Sequence, residues 1–217
     1  MFDRPFATSL LLSLGFFLVP YLVGSIPTAY IVVRKNAHID IRSAGTGNVG
    51  TLNAYEVTRS RWVGLSVLLG DVFKGALSVF VAERIPGSNG FLVAVAAFGV
   101  VVGHCFPVWL RFKGGRGLAP AAGAMLVVAW IFVAAWLLVW LIGYLTTRNI
   151  HLGNTAAIVA TPLIGWMTPA SIMAEFTGAT LSTMTLLILY TLLSAVLLFR
   201  HLGPLRELAA AEIKKGS

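Results

Sequence analysis

Two glycine-bearing polar stretches carry residues suited to gripping phosphate. The first runs from Asp40 to Asn53 and reads Asp-Ile-Arg-Ser-Ala-Gly-Thr-Gly-Asn-Val-Gly-Thr-Leu-Asn. Gly45, Gly47 and Gly50 permit left-handed backbone and close approach. Successive N–H groups in such a turn form an anion nest, and Thr46, Asn48 and Asn53 add side-chain donors beside Arg42. An ordinary turn-rich loop remains the plainer reading. The second stretch joins Gly103-His104-Cys105-Phe106-Pro107 to Phe112-Lys113-Gly114-Gly115-Arg116-Gly117. A Gly-Gly turn opening a helix between Lys113 and Arg116 suits phosphate, but also fits a basic loop with a tight turn. A lone histidine at the end of an apolar helix, as His104 is, is more often a hydrogen-bonded packing residue than a catalyst. Asp71 and Lys74 share a helix face at i,i+3 within an apolar run, as a functional pair or a structural ion pair. Arg148 to Asn154, which includes His151, and Arg200-His201 sit at helix boundaries, where snorkelling arginines are common.

Spacing excludes several chemistries. None of His38, His104, His151 or His201 is followed by Asp five positions on, so the His-x4-Asp pair of many glycerolipid acyltransferases is missing. No nucleophile elbow, HExxH or P-loop pattern occurs. Cys105 is the single cysteine, which rules out an internal disulfide framework and a cysteine metal cluster. No metal and no cofactor is expected.

The elements that must position these residues are apolar. The 217 residues are 58% hydrophobic and 11% charged, with a mean hydropathy of +0.86. A soluble fold of this size has too little interior to hide so much apolar surface. In lipid the backbone must satisfy itself, and unalternating runs of about 20 residues select helices over a barrel. Six runs stand out, roughly 8–33, 62–82, 90–110, 118–145, 154–174 and 180–199. The first is too long for a signal peptide and reads as a retained span. No linker or repeat divides the chain, so 1–217 reads as one domain.

Net charge is +8, yet the cations lie in short loops with no basic face interleaved by aromatics, so no nucleic-acid partner is expected. Segments 34–61 and 111–117 and the tail after 199 are rich in Lys and Arg, whereas 83–89 holds only Arg84 and 175–179 none. The positive-inside rule places the first three in the cytoplasm and the last two outside. Six single spans cannot satisfy that parity. The 28 residues of 118–145 would form a helix of about 42 Å against a core of about 30 Å. One long tilted span is an alternative; two shorter broken helices restore the parity and give about seven in all, an all-α polytopic transmembrane bundle with N-terminus outside and C-terminus cytoplasmic. The polar segments then share the cytoplasmic side.

Taken together, Gly24-Ser25-Ile26-Pro27, Asp40-Ile41-Arg42 through Asn53, Asp71-Val72-Phe73-Lys74-Gly75, Gly103-His104 through Gly117, Arg148 to Asn154 and Arg200-His201 resemble, in order and spacing, the bacterial acyl-phosphate:glycerol-3-phosphate acyltransferases, the PlsY family. The resemblance implies seven helices and a cytoplasmic active site in a bacterial cell membrane. It implies transfer of a fatty acyl group from acyl phosphate to the 1-hydroxyl of glycerol 3-phosphate by a monomer, for phospholipid synthesis. It implies Thr46, His104, Lys113 and Arg116 as catalytic residues. Substrate would be bound by Arg42, Gly45, Gly47, Asn48, Gly50, Asn53, Arg59, Asp71, Lys74, Gly114, Gly115, Arg148, Asn154, Arg200 and His201. Departures cluster on the acceptor side. Thr46 stands where Ser is common, Arg116 replaces Lys, and Asn154 replaces Ser. The arginine expected soon after Asn53 is displaced to about Arg59, and Leu202-Gly203-Pro204 replaces an acidic residue and Asn. Compensation through Arg59 or His151, a different acceptor, or a non-catalytic lipid or anion transporter on the same scaffold are the readings left open.

Overall fold

The computed structural model describes residues 4–176 and 181–216, and all its regular elements are helices. They are α1 (Arg4–Ser25), α2 (Thr28–Ala37), α3 (Thr51–Thr58), α4 (Arg61–Arg84), α5 (Gly90–Cys105), α6 (Leu118–Val128), α7 (Trp130–Thr147), α8 (Ile150–Met167), α9 (Ala170–Phe176) and α10 (Thr183–Gly216). Five segments are long and apolar enough to cross a bilayer: Thr8–Ala37, Arg61–Arg84, Gly90–Leu110, Trp130–Thr147 and Thr183–Ala210. Leu11, Phe73, Leu138 and Phe199 are exposed, an outer surface that lipid rather than water accommodates. The 175–179 connection expected outside falls largely beyond the described residues.

Local signals account for many boundaries. Ser60 accepts from the Val63 N–H, Asn89 from Leu92, and Asn149 from His151 and Leu152, capping α4, α5 and α8. Pro27, which has no N–H, stands where the first apolar run breaks into α1 and α2. The long fourth run also divides, as expected, at Ala129 (φ −164°, ψ 77°). No Gly or Pro marks that break.

The two pieces form a hairpin rather than a kinked rod. Arg116, just before α6, lies 3.3 Å from His151 at the start of α8. The chain therefore leaves and returns at the same end of the bundle between these residues. Residues 34–61, 104–117, 148–154 and 200–201 gather at one end of the bundle.

Glycines set the closest crossings. An added Cβ on Gly24, Gly99 or Gly103 would lie 2.1, 2.6 or 2.1 Å from the Val100, Phe17 or Tyr21 carbonyl oxygen, so α1 and α5 touch through backbone. Gly75 and Gly123 do the same for α4 and α6. The main apolar core lies among α4, α5, α6, α8 and α10. A smaller one, formed by Ala29, Val33, Ile41, Val63 and Val67, caps the polar end.

Candidate active site

Asp40 opens the first polar loop. Its carboxylate accepts from the Arg42 backbone N–H at 3.0 Å and pairs with the Arg42 guanidinium at 2.6 Å. That guanidinium holds the Asp40 carboxyl down at about 2. Arg42 is thus engaged at the surface and also lies over the Tyr30 ring. Further along, Gly45 (φ 58°) and Gly47 (φ 69°) adopt the left-handed turn that their type permits. Asn53 shapes the turn from within. Its Oδ1 accepts from the Thr46 N–H at 2.9 Å, and its Nδ2 donates to the carbonyls of Ile41, Ala44 and Asn48. The buried Asn53 amide therefore organises the loop and is fully engaged within it. Thr46 is exposed, its Oγ1 accepting from the Asn48 N–H.

A groove of about 630 Å³ opens beside this loop. Its polar lining comes from Asn48, Thr51, Arg61, Asp71, His104, Arg116 and Asn154, and its apolar wall includes Trp136 and Trp140. Two helices begin in it without a side-chain cap. Gly50 precedes α3 and Gly117 precedes α6, and neither has a side chain to cap the first-turn N–H groups. Uncapped helix starts are ready sites for anions. Burial draws the half-buried Arg116 guanidinium below its ordinary value, yet an arginine stays charged. Arg116 donates to His151 Nδ1, which must accept and hence carry no proton there.

Deeper in the groove, Lys74 Nζ stands 2.8 Å from Asp71 Oδ1 and donates to the Ile26 carbonyl at 3.1 Å. His104 Nδ1 approaches the same carboxylate oxygen at 3.6 Å. All three side chains are buried. Asn154 is buried too, and among the described residues its amide makes no hydrogen bond.

In the Gly-Gly turn, expected from the sequence to hold phosphate, the backbone N–H groups are already engaged. The Gly114 and Gly115 N–H groups donate to the Cys105 and His104 carbonyls. Their own carbonyls accept from Arg200, at 2.7 Å for Gly114 and 3.0 Å for Gly115. A Cβ on Gly115 would lie 2.1 Å from His104 Nε2, so this glycine lets the turn press against the imidazole. Arg200 acts through the turn. His201 is fully buried, with Nδ1 donating to the Leu197 carbonyl at 2.7 Å. Lys113, Arg148 and Arg59 are exposed and lie outside the groove lining, the last two being left-handed helix ends.

Arg61, Thr51, Trp136 and Trp140 line the groove although the sequence reading did not select them. Arg61 is masked in sequence as one more cytoplasmic cation. Gly50 directly before a helix was the available signal for Thr51, and the i,i+4 spacing of the tryptophans was theirs.

The glycerol-3-phosphate acyltransferase family model matches residues 14–211. A glycerol-3-phosphate acyltransferase of Syntrophotalea carbinolica is 36% identical, covering 70% of this chain and 76% of the relative. One from Endomicrobium trichonymphae is 36% identical, covering 83% and 88%. The crystal structure of PlsY (YgiH), an integral membrane glycerol 3-phosphate acyltransferase, in its glycerol 3-phosphate form is similar with a TM-score of 0.77 at 25% identity over 92% of each chain. Its lysophosphatidic acid form gives a TM-score of 0.75.

Proposed function

The chain belongs to the glycerol-3-phosphate acyltransferase family, and from that membership we propose how its groove performs the transfer. It acylates glycerol 3-phosphate to lysophosphatidic acid within a membrane. The donor in this reading is an acyl phosphate, and the groove faces the cytoplasm, where the basic loops 34–61 and 111–117 gather. The reading treats the monomer as sufficient, because one chain supplies the whole groove lining.

One observation carries it: two uncapped helix starts and two arginines, Arg61 and Arg116, line one groove. Two phosphate groups, one on each substrate, match that pattern. The N–H groups opening α3 and Asn48 hold one phosphate beside Arg61. Arg116 and the start of α6 hold the other. Thr46 and Asn53 shape the first turn, Gly45 and Gly47 permit it, and Arg200 fixes the second through Gly114 and Gly115. The Asp71, Lys74 and His104 cluster forms the polar floor.

An acyl phosphate is a mixed anhydride with its leaving group already activated. The acceptor hydroxyl oxygen attacks the acyl carbonyl carbon, and the bond from that carbon to the phosphate oxygen breaks. The hydroxyl proton passes to the departing phosphate, so inorganic phosphate leaves and no protein nucleophile is required. Catalysis is then positioning plus electrostatic stabilisation of the oxyanion by fixed donors. Arg61 supplies the acceptor-side cation that the sequence had assigned to Arg59.

The test is phosphate release from palmitoyl phosphate by the purified protein, with and without glycerol 3-phosphate, in the absence of acyl-CoA. Release that depends on glycerol 3-phosphate is expected. Activity only with acyl-CoA would overturn the donor, and activity only with another acceptor would overturn the acceptor.

A further inference from the structure

Beside the polar groove lies an apolar chamber of about 260 Å³ between α4, α6, α7 and α10. Both spaces are lined by Leu68, Leu118, Ala119, Trp136 and Leu137, so the chamber adjoins the groove across these side chains. We propose that this chamber takes the hydrocarbon tail of the phosphate-bearing substrate and that Phe132 is its floor, setting the tail length accepted. The identity of the tail rests on the acyl-phosphate reading above.

The chamber follows α6 from Leu118 to Met125, about 10 Å at the helical rise. Phe132, nearly fully buried, closes it. Its ring lies 4.4 Å from the Tyr190 ring, centroid to centroid. Its edge rests on Gly165, where an added Cβ would meet Cε1 at 3.0 Å. Behind the ring lies another cavity of about 120 Å³, bounded by Thr161, Ile164, Gly165 and Met173. Among the described residues Phe132 alone lines both spaces. Shrinking this one side chain therefore joins them. Ala122 lines the chamber nearer the groove, where a large side chain shortens it.

The experiment measures binding of unreactive alkyl phosphates of graded length to the full chain in detergent by calorimetry. In the unaltered protein, affinity rises about fourfold per methylene until the tail reaches the floor, then levels off. Phe132→Ala moves the plateau to longer tails, and Ala122→Phe moves it to shorter ones. Should Phe132→Ala fail to fold, Phe132→Leu, which keeps more of the volume, gives a smaller shift in the same direction. Coincident plateaus in all variants overturn the proposal, as does affinity that ignores the phosphate, the behaviour of a lipid-filled crevice. Acyl transfer to glycerol 3-phosphate is followed in parallel. Shifted plateaus without transfer overturn the reaction and leave the floor standing. Transfer with coincident plateaus removes the floor alone.

Discussion

Asn53 holds its loop with four hydrogen bonds to backbone, all from one buried amide. Asn53→Ala leaves those groups unmatched at a cost of about 1–3 kcal/mol, and Asn53→Asp loses the three donated bonds. Both variants are expected to lower the melting temperature and abolish transfer together. Arg61→Ala and Arg116→Ala act differently. Each removes a cation from the groove, and Arg116→Ala also loses one part-buried bond to His151, so turnover falls about a hundredfold while melting changes less than in the Asn53 variants. Lys113→Ala, exposed and outside the groove, is expected to keep turnover near that of the unaltered protein. Asp40 gives a pH signature. Its carboxyl titrates at about 2 in the folded loop, against about 3.9 unfolded. A depressed carboxylate stabilises fully above the unfolded value and loses that contribution as pH falls toward 2. Asp40→Asn should therefore melt slightly below the unaltered protein at neutral pH and converge with it between about pH 4 and 2. The group is exposed, so the difference is small.

The helices meet through glycine where the sequence shows only an apolar run. Gly99 and Gly103 are spaced i,i+4 on α5 and let α1 approach to backbone contact. Gly103→Val places a methine 2.1 Å from the Tyr21 carbonyl oxygen, which the helix cannot clear by a rotamer change. It is expected to destabilise by more than the typical overpacking cost of about 1–3 kcal/mol. Gly15→Ala has nothing within 4 Å of its new Cβ and should melt like the unaltered protein. Thermal melting in one detergent compares them. The Gly-Gly turn teaches a related lesson. Its residue types suit a phosphate, yet its N–H groups close onto the end of α5 and its carbonyls face Arg200. In the proposed reading the anion sites are the uncapped starts of α3 and α6 instead.

For the whole molecule, the hairpin at Ala129 fixes which loops share a side. Single cysteines at Lys113 and Arg148 are expected to label from one face of the membrane and a cysteine at Ser88 from the other. The native Cys105 is buried and gives little background. Labelling of Lys113 and Arg148 from opposite faces would refute the reversal. Composition, run length and loop charge determined by themselves that this is a helical membrane protein and that the fourth long run, as two pieces, restores the parity of the loops. Those properties are local, because a helix in lipid must satisfy its own backbone and bury its own length. The order of motifs also carried the family. The membership of the groove was decided only by tertiary structure. Whether a cation lines the groove depends on how the helix ends around it are packed. Arg61 and Arg59 differ by two positions and are both exposed, yet one lines the groove and the other does not. That difference comes from how α3 and α4 pack, a long-range outcome that residue type and spacing do not encode.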